Sequence, residues 1–481
     1  MRYLGIDLGT TNCGFAFADA QGAVQVLSIP QLVSPGEVRA EPLLPSALYL
    51  AQEGEFGEGL LDLPWRAGAA RAVGAFAARR GAETPGRLVT SAKSWLCYTG
   101  GGRSEPILPV NAPEGAPKVS PVEASREYLA HLRAAWDYLH PGFPFAEQRI
   151  VLTVPASFDE LARELTVSAA RQAGLEKVTL LEEPQAAFYH WLYANGLSVE
   201  APAGLVPDDQ ILVCDIGGGT SDFTLIEYSP GGLRRGAVGE HLMLGGDNLD
   251  ISLAYLVEPR LGAKLDILQW GVLRNECRRA KEVLLGDDPP ETVTITVPGS
   301  GAKLLAGTLQ ADITREEVQK LVLDGFFPKV GIDEPLQAER RLGLKEWGLP
   351  YASDPAVPRH LSSFLRRHGR RDNIPNKILF NGGACRPAAI RQRVLEILGE
   401  WRGGPVEELQ NPESDLSVAR GAAYYGFLKR SGGKRISGGI ARSYYLQLSN
   451  EEGSPQALCV VPRNLEPGNR GDLTEPVLKL T

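Results

Sequence analysis

Two stretches of this chain, LGIDLGTTNCGFAFAD at Leu4–Asp19 and LVCDIGGGTSDFTLIE at Leu212–Glu227, follow one pattern. Each contains a short apolar strand, an Asp, a turn of Gly, Thr and Ser residues, and a second apolar strand. The two stretches lie about 200 residues apart. A duplicated strand–turn–strand hairpin with an Asp at the same place predicts two like halves that face one another, with a phosphate-bearing ligand between them.

The residue types of the two turns explain why a phosphate is the expected ligand. Glycines carry no side chain, so the backbone N–H groups of such a turn can approach an anion closely. Hydroxyl groups add further hydrogen-bond donors for phosphate oxygens. The hydroxyl residues of the two turns are Thr10, Thr11, Thr220 and Ser221.

The aspartates at the end of the first strand of each hairpin, Asp7 and Asp215, would face the phosphates as like charges. They indicate a hard cation between carboxylate and phosphate, and we expect Mg²⁺ held through its waters. The alternative is a pair of ordinary β-hairpins, because many Gly turns only connect strands. One copy would leave that alternative strong, whereas two copies with a matched Asp favour the phosphate site.

The composition describes an ordinary globular protein and argues against several classes of partner. At 481 residues the chain exceeds a single core, so roughly two to four domains are expected. The net charge of −8 argues against nucleic acid or an anionic membrane, and no apolar run reaches membrane-spanning length. The six cysteines form no CxxC pair and the chain starts without a signal-peptide pattern, so we expect a cytoplasmic location.

Strand-like and helix-like segments alternate along the chain, which predicts a layered α/β fold. An Ala/Arg-rich helix is expected over 65–80, and a basic helix over 273–285. Two short apolar runs near the end, 443–448 and 457–462, could pair as strands.

The order of these segments predicts the domain organisation of the chain. We expect one lobe at 1–205, completed by a helix at 415–430, and a second lobe at 206–414. The second lobe carries an unusual polar insert near 334–375, with several Pro and Arg residues. Residues 432–481 are expected to begin a small β-rich unit.

The two turns belong to a longer series of motifs. In chain order the series is DLGTTN (Asp7–Asn12), LTVPASF (Leu152–Phe158), EEPQAA (Glu182–Ala187), IGGGTSD (Ile216–Asp222), FNGGACR (Phe380–Arg386) and DLSVARGAA (Asp415–Ala423). Over roughly residues 1–430 the chain resembles the DnaK-type heat-shock-protein-70 chaperones, within the wider actin-like ATPase superfamily. The resemblance implies an actin-like ATPase fold of two duplicated lobes, with mixed sheets flanked by helices around a nucleotide cleft.

The resemblance also implies roles for charged residues of the cleft. Asp7, Asp215 and Asp222 would surround Mg²⁺ and the attacking water, and Glu183 would help to orient that water. Lys93, in SAKSWL, matches the essential lysine of the family. The alternatives are a solvated surface position for Lys93 and a helix-capping role for Glu183.

ATP or ADP is the nucleotide that the resemblance implies. Gly382 and Gly383 would let the backbone approach the sugar and base, and Arg386 would stack its planar guanidinium on the purine. The full set expected to bind nucleotide is Gly9, Thr10, Thr11, Asn12, Gly217, Gly218, Gly219, Thr220, Gly245, Gly246, Lys281, Gly382, Gly383, Arg386 and Asp415.

The chain departs from the family pattern on the adenosine side and beyond the closing helix. Arg278 stands where an acidic residue is usual, Glu282 where an Arg is usual, and Leu285 where a Ser is common. Arg278 and Glu282 could equally form an i,i+4 surface ion pair. The substrate-binding half of the family is not evident in 432–481, and the insert near 334–375 is a candidate partner surface.

The leading functional hypothesis is a DnaK-like module that binds ATP–Mg²⁺ between two lobes and hydrolyses ATP slowly. Lobe closure would then signal to a cochaperone, a client protein or a downstream domain. The alternatives are a small-molecule kinase of the same superfamily and an actin-like filament-forming ATPase. Lys93 and the EEPQAA segment argue against the kinase, which would need a substrate pocket with a catalytic Asp beside the γ-phosphate.

Overall fold

A computed structural model of the protein describes most of the chain. The described residues are 1–98, 102–110, 112–199, 202, 204–299, 307–337, 352–368, 374–411, 413–439, 443–449, 455–462 and 465. Parts of the predicted insert, 338–351 and 369–373, therefore lie outside the described residues. The same holds for much of the predicted C-terminal unit, namely 440–442, 450–454, 463–464 and 466–481.

The first sheet has six strands and contains the first of the two hairpins. Its strands are β1 (Tyr3–Leu8), β2 (Asn12–Ala18), β3 (Val24–Val26), β6 (Leu43–Pro45), β10 (Arg149–Val154) and β11 (Val178–Glu182). The order is β11-β10-β1-β2-β3, and β6 pairs with the first residues of β2. The β1–β2 and β2–β3 pairs are antiparallel, whereas β10 and β11 continue the sheet in parallel from β1.

The second sheet repeats this arrangement around the second hairpin. Its strands are β12 (Gln210–Ile216), β13 (Ser221–Ser229), β14 (Gly232–Val238), β17 (Lys377–Asn381) and β18 (Glu407–Leu409). The order β14-β13-β12-β17-β18 again joins three antiparallel strands to two parallel ones. The duplication predicted from the hairpins is confirmed at the level of strand order, and the molecule has the predicted α/β fold of two mixed sheets flanked by helices.

Helices cover the faces of both sheets. Those in the described part of the chain are α1 (Ala75–Glu83), α2 (Ala92–Leu96), α3 (Pro121–Leu139), α4 (Glu160–Gln172), α5 (Glu183–Ala194), α6 (Gly246–Val257), α7 (Ile267–Leu284), α8 (Arg315–Gln319), α9 (Val357–His368), α10 (Ala388–Arg402) and α11 (Ser414–Ser431). The last of them, α11, packs on α5 and across β1 and β2. Gly5 allows this approach, because a Cβ there would collide with the carbonyl oxygen of Ala419.

Small antiparallel sheets lie outside the two main ones. They are β4 (Ile29–Ser34) with β5 (Glu37–Glu41), β7 (Leu48–Leu50) between β8 (Arg71–Val73) and β9 (Leu88–Val89), β15 (Thr292–Pro298) with β16 (Thr308–Thr314), and β19 (Tyr444–Ser449) with β20 (Pro455–Val461). The last pair confirms the predicted pairing of the two apolar runs near the end of the chain.

Three large hydrophobic clusters organise the interior. One packs mainly on the first sheet and one on the second. The third joins them, because it combines α5 and α11 with side chains such as Val151 from the first sheet and Val213 from the second. This shared core fixes the floor of the cleft between the sheets.

Two helix predictions need correction. Residues 65–80 do not form one helix, because 71–73 form a strand and the helix begins only at Ala75. The basic helix α7 begins at Ile267 rather than 273, because Asp266 and Gln269 form a capping box at its start. Within the described residues, no helix is both long enough and apolar enough to cross a membrane.

Candidate nucleotide-binding site

A cavity of about 430 Å³ opens between the two sheets and contains most of the predicted site. That volume is within the range of small-molecule and cofactor pockets. The predicted residues that line it are Asp7, Gly9, Thr10, Thr11, Asn12, Lys93, Glu183, Asp215, Gly217, Gly218, Thr220, Asp222, Gly246, Lys281, Gly382, Gly383, Arg386 and Asp415. Residues from both hairpins therefore face a single space, as the duplication predicted.

The remaining two predicted residues, Gly219 and Gly245, support the second turn from close range. A Cβ on Gly245 would lie 2.6 Å from the carbonyl oxygen of Gly218, and one on Gly219 would lie 3.2 Å from Cγ2 of Thr10. A Cβ on Gly218 would collide with the hydroxyl of Thr11. The two glycine turns thus approach each other across the cleft, and larger residues would not allow this approach.

The start of α6 packs on the second turn. The backbone N–H groups of Gly246 and Asp247 donate to the carbonyl oxygens of Gly217 and Gly218 at 3.0 and 2.7 Å. Ser221 is fully buried, and its hydroxyl donates to the carbonyl oxygen of Leu244 at 2.7 Å. The expected role of Ser221 as a phosphate donor is therefore wrong, because its proton is used inside the protein.

Lys93 and Glu183 form a buried ion pair on the floor of the cavity. Lys93 is only 8 % exposed, so its alternative interpretation as a solvated surface lysine is wrong. Glu183 begins α5, but the residue at the capping position is Glu182, and the Glu183 carboxylate binds the lysine instead. The helix-capping alternative for Glu183 is therefore also wrong.

Three aspartates lie around this pair, of which Asp222 is buried and Asp7 and Asp215 are half-buried. Burial, together with the nearby Glu183 carboxylate, raises the pKa of Asp7, Asp215 and Asp222 to about 7. Burial by itself would lower the pKa of Lys93, but the carboxylates of Glu183 and Asp7 shift it above its usual value. Carboxylates held this close together are poised to accept a cation.

Each aspartate is oriented by a neutral hydrogen-bond donor. The hydroxyl of Thr153 on β10 donates to Asp7 at 3.1 Å, and the amide of Asn381 on β17 donates to Asp215 at 2.9 Å. Asp222 accepts hydrogen bonds from Ser157. The donors come from the parallel strands beside each hairpin or the loop that follows them, so the duplicated strand order also duplicates the support of the acidic residues.

The wall of the cavity formed by α6 and α7, where we expect the adenosine, contains ion pairs that the sequence did not predict. Arg278 contacts Asp247 and, at 2.7 Å, Asp250, so the i,i+4 pairing proposed for it with Glu282 is wrong. Lys281 donates to the buried Asp250 at 2.6 Å. Both aspartates lie in the LGGDNLD segment, and their i,i+3 spacing on a helix facing a basic helix was the available signal.

The predicted glycine turn after β17 adopts a conformation that favours glycine. Gly382 has φ +81°, and a Cβ there would collide with the carbonyl oxygen of Ile216 and lie 2.7 Å from Oδ1 of Asp215. Arg386 follows one turn later and forms an ion pair with Asp415, at the start of α11. The structure therefore brings the FNGGACR and DLSVARGAA motifs together on one wall of the cavity.

Behind the floor of the cavity, a buried arginine links the lobes to the segment after α11. Arg235 on β14 contacts the carboxylate of Glu182 and the carbonyl oxygen of Gly439. Ser437 exchanges backbone hydrogen bonds with Leu233 and Arg235 at 2.9 and 2.7 Å. The segment that follows α11 thus lies along the edge of the second sheet. Arg235 connects it to Glu182, the residue that precedes Glu183.

The fold and site define an actin-like nucleotide-binding domain, and comparison with known proteins identifies its family. The Hsp70 protein family matches residues 110–330. A chaperone protein HscA homolog from Ralstonia nicotianae is 30% identical over 436 residues, covering 87% of this chain and 57% of that protein. The homolog from Bordetella pertussis is 30% identical over 433 residues, with the same shares covered.

A shorter but closer match covers part of the chain. The HscA homolog from Acinetobacter baumannii is 36% identical over 214 residues, which is 44% of this chain and 31% of that protein. Together with the fold, these matches show that the chain belongs to the Hsp70 family and contains an Hsp70-type nucleotide-binding domain. The chain spans little more than half the length of the first two relatives.

Proposed function

We propose that the protein is a chaperone-type ATPase module that binds ATP–Mg²⁺ between its two lobes and hydrolyses ATP slowly. The observation that carries the proposal is the buried Lys93–Glu183 pair, surrounded by three aspartates where the two glycine turns meet. Phosphoryl transfer to water needs mainly positioning and neutralisation of spread negative charge, and this constellation offers both.

The roles follow from the positions of the groups. The backbone N–H groups of the two turns would bind the phosphates, and the Lys93 ammonium would neutralise charge on the transferred group. Glu183 and Asp222 would orient the attacking water. A carboxylate that is close to half ionised near neutral pH can accept a proton from that water, which fits the pKa of about 7 for Asp222.

The charge of the cavity supports a requirement for Mg²⁺. Its acidic lining residues are Asp7, Glu183, Asp215, Asp222, Asp247, Asp250, Glu282, Asp287 and Asp415, and its basic ones are Lys93, Arg278, Lys281 and Arg386. A triphosphate would therefore enter an acidic space, and a divalent cation would supply the charge neutralisation that it needs. Asp7 and Asp215 would hold that ion through its waters.

We expect the ion to be held mainly through its waters rather than by a cage of protein ligands. Within the described part of the chain, no three His, Cys, Asp or Glu side chains are close enough together to ligate one metal directly. Mg²⁺ dehydrates reluctantly and usually keeps several waters, so two carboxylates at the ends of matched strands suffice as its protein partners.

Lobe closure would be communicated through the segment after α11. Arg235 contacts both this segment and Glu182, the neighbour of Glu183, so the position of the segment and the geometry of the hydrolytic site depend on one another. A cochaperone, a client protein or a downstream domain that moves this segment would then sense the nucleotide. The names of the relatives as chaperones favour this function over the kinase and filament alternatives.

We propose the predicted domain limits for this module: lobes at 1–205 and 206–414, with the helix at 415–430 completing the first. The packing of α11 on β1 and β2 supports the last point. We place the protein in the cytoplasm, because its six cysteines are free thiols, four of them buried, and a reducing compartment preserves such thiols.

We expect the 481-residue chain to lack ATP-sensitive peptide binding of its own. The described part of 432–481 contains one two-stranded sheet, β19–β20, and an isolated pair of strands is marginally stable. Fluorescent extended hydrophobic peptides should therefore show no saturable binding that ATP releases. Micromolar binding released by ATP would show that this region works as a peptide receptor.

A nucleotide panel tests the central proposal. Thermal unfolding should be followed with ATP, ADP and GTP, each with Mg²⁺ or with EDTA, and single-turnover hydrolysis should be measured in parallel. A ligand at 100 times its Kd should add about 2.7 kcal/mol to the free energy of unfolding, because it binds only the folded lobes. The proposal fails if neither ATP nor ADP raises the Tm in the presence of Mg²⁺.

A further inference from the structure

A serine and a histidine from opposite lobes meet beside Asp222. Ser157, 2 % exposed, lies in the loop between β10 and α4 of the first lobe. His241 lies between β14 and α6 of the second lobe, and its Nδ1 is 2.7 Å from the Ser157 hydroxyl oxygen. Neither residue lines the nucleotide cavity, whereas Asp222 does.

The hydrogen bonds of this trio run in one direction. Asp222 accepts from both the hydroxyl and the backbone N–H of Ser157. Because the one hydroxyl proton of Ser157 is directed to Asp222, its oxygen accepts the hydrogen bond from His241, which therefore carries its proton on Nδ1. The chain of donors is His241 to Ser157 to Asp222.

A second contact fixes the histidine ring. Phe158, the neighbour of Ser157, meets the ring of His241 edge to face, with centroids 5.9 Å apart and planes at 79°. His241 thus contacts two consecutive residues of the opposite lobe. Asp222 and His241 both belong to the second lobe, and Ser157 of the first lobe sits between them, so the trio is complete only when the lobes are in this relative position.

We propose that Ser157 and His241 are positioning residues for hydrolysis, which hold the Asp222 carboxylate toward the attacking water when the lobes close. The inference rests on the proposed ATPase function. Asp222 has two oxygens, and anchoring it from Ser157 restricts which orientation the carboxylate presents to the cavity. The His241 bond in turn fixes the rotamer of the Ser157 hydroxyl, so that its proton stays on Asp222.

Variants that retain or lose the Nδ1 donor distinguish a positioning role of His241 from a role in packing alone. In His241→Asn the side-chain amide nitrogen occupies the place of Nδ1, whereas in His241→Gln it occupies the place of Nε2. His241→Ala and Ser157→Ala remove the donors altogether. His140→Asn serves as the matched control, since that histidine stacks on Trp136, outside the cavity.

The measurements are the single-turnover ATP hydrolysis rate and the Kd for ATP with Mg²⁺, on each variant of the full chain. We expect Ser157→Ala, His241→Ala and His241→Gln to lower the rate roughly 10- to 100-fold, as for the loss of a hydrogen bond to a charged group, with Kd within about threefold of wild type. His241→Asn should recover most of the rate, and His140→Asn should match wild type.

The outcomes distinguish this inference from the proposed function. A wild-type protein that binds ATP without hydrolysing it would refute the ATPase function, and this inference with it. An active wild type with unaffected Ser157→Ala and His241→Ala would refute the inference alone. Equal rates for His241→Asn and His241→Gln, or a Kd that weakens in parallel with the rate, would show that the pair only supports packing between the lobes.

Discussion

Removal of the Lys93 ammonium should destabilise the nucleotide-free protein, and more strongly at high pH than at low pH. Lys93 is buried against Glu183, and the carboxylates of Asp7, Asp215 and Asp222 lie around the pair. In the Lys93→Ala variant these four carboxylates keep their positions but lose the ammonium that compensates them. The variant therefore tests whether the floor of the cavity behaves as one electrostatic unit.

The size of the stability loss depends on whether the remaining carboxylates can become protonated. Breaking a buried ion pair by removing one partner costs about 3–5 kcal/mol while the other charge stays ionised. Asp7, Asp215 and Asp222 already have a pKa of about 7, and Lys93 lowers each of these values, so its removal raises them further. Protonation therefore relieves the cluster below about pH 7. We expect a loss of about 3 kcal/mol at pH 8 and roughly half of that or less at pH 6.

Urea unfolding of wild type and Lys93→Ala at pH 6 and pH 8, without nucleotide or metal, measures this difference. Lys329→Ala is the matched control, because Lys329 pairs with Glu396 at 3.0 Å on the exposed surface and its removal should leave the unfolding free energy nearly unchanged. A loss below about 1 kcal/mol at pH 8, or an equal loss at the two pH values, would refute the electrostatic argument.

Further predictions concern the neighbouring groups. Asp222→Asn should lower single-turnover hydrolysis about 100-fold or more with little change in ATP affinity; a parallel loss of affinity would contradict its catalytic role. The free energy of unfolding of the nucleotide-free protein should fall as pH rises from about 4 to about 7, because native Asp7, Asp215 and Asp222, with pKa values of about 7, bind more protons than the unfolded chain. In urea unfolding, Gly382→Ala should lower the free energy of unfolding more than Gly403→Ala does. Both glycines have positive φ, but only Gly382 lacks space for a Cβ. Equal losses for the two variants would refute this prediction.

Ion pairs in the structure explain why Arg278 and Glu282 can differ from the family pattern on the wall where we expect the adenosine. Arg278 and Lys281 both contact Asp250, and Arg278 also contacts Asp247, so these two cations of α7 are neutralised by the first turns of α6. Glu282 then adds a carboxylate to the wall of the cavity. Nucleotide binding on this wall competes with existing ion pairs, and the Kd for adenosine alone should be weak relative to that for ADP.

The local pattern of the sequence was sufficient for the duplicated hairpins and for most of the cavity lining. Alternating apolar residues with an Asp–Gly–Thr turn specify a strand, a tight turn and a second strand through contacts between near neighbours in the chain. Because the pattern occurs twice, it also predicted two like halves, whose strand orders only the structure gave. The FNGGACR and DLSVARGAA motifs were predicted to line the cavity through the family resemblance, because nothing local in either motif shows that the two meet.

Other features depend on contacts between residues far apart in the chain. Whether Lys93 is a surface lysine or the partner of Glu183 is decided by the packing of α2 against the floor of the cavity, and nothing within its own segment distinguishes the two. Arg278 pairs with Asp247 and Asp250 rather than with Glu282, because α6 lies beside α7. The Ser221 hydroxyl is not available to a phosphate, because it donates to the carbonyl oxygen of Leu244.

What the sequence by itself determined was the position of the two glycine-rich turns, the acidic residues at their strand ends and the family of the fold. Only the tertiary structure decided which charges pair, which hydroxyls remain available and where the lobes touch, as at Ser157 and His241. The physical reason is that turn and strand preferences act over a few residues, whereas the burial and partner of a charged or polar group are set by whichever distant segment packs against it.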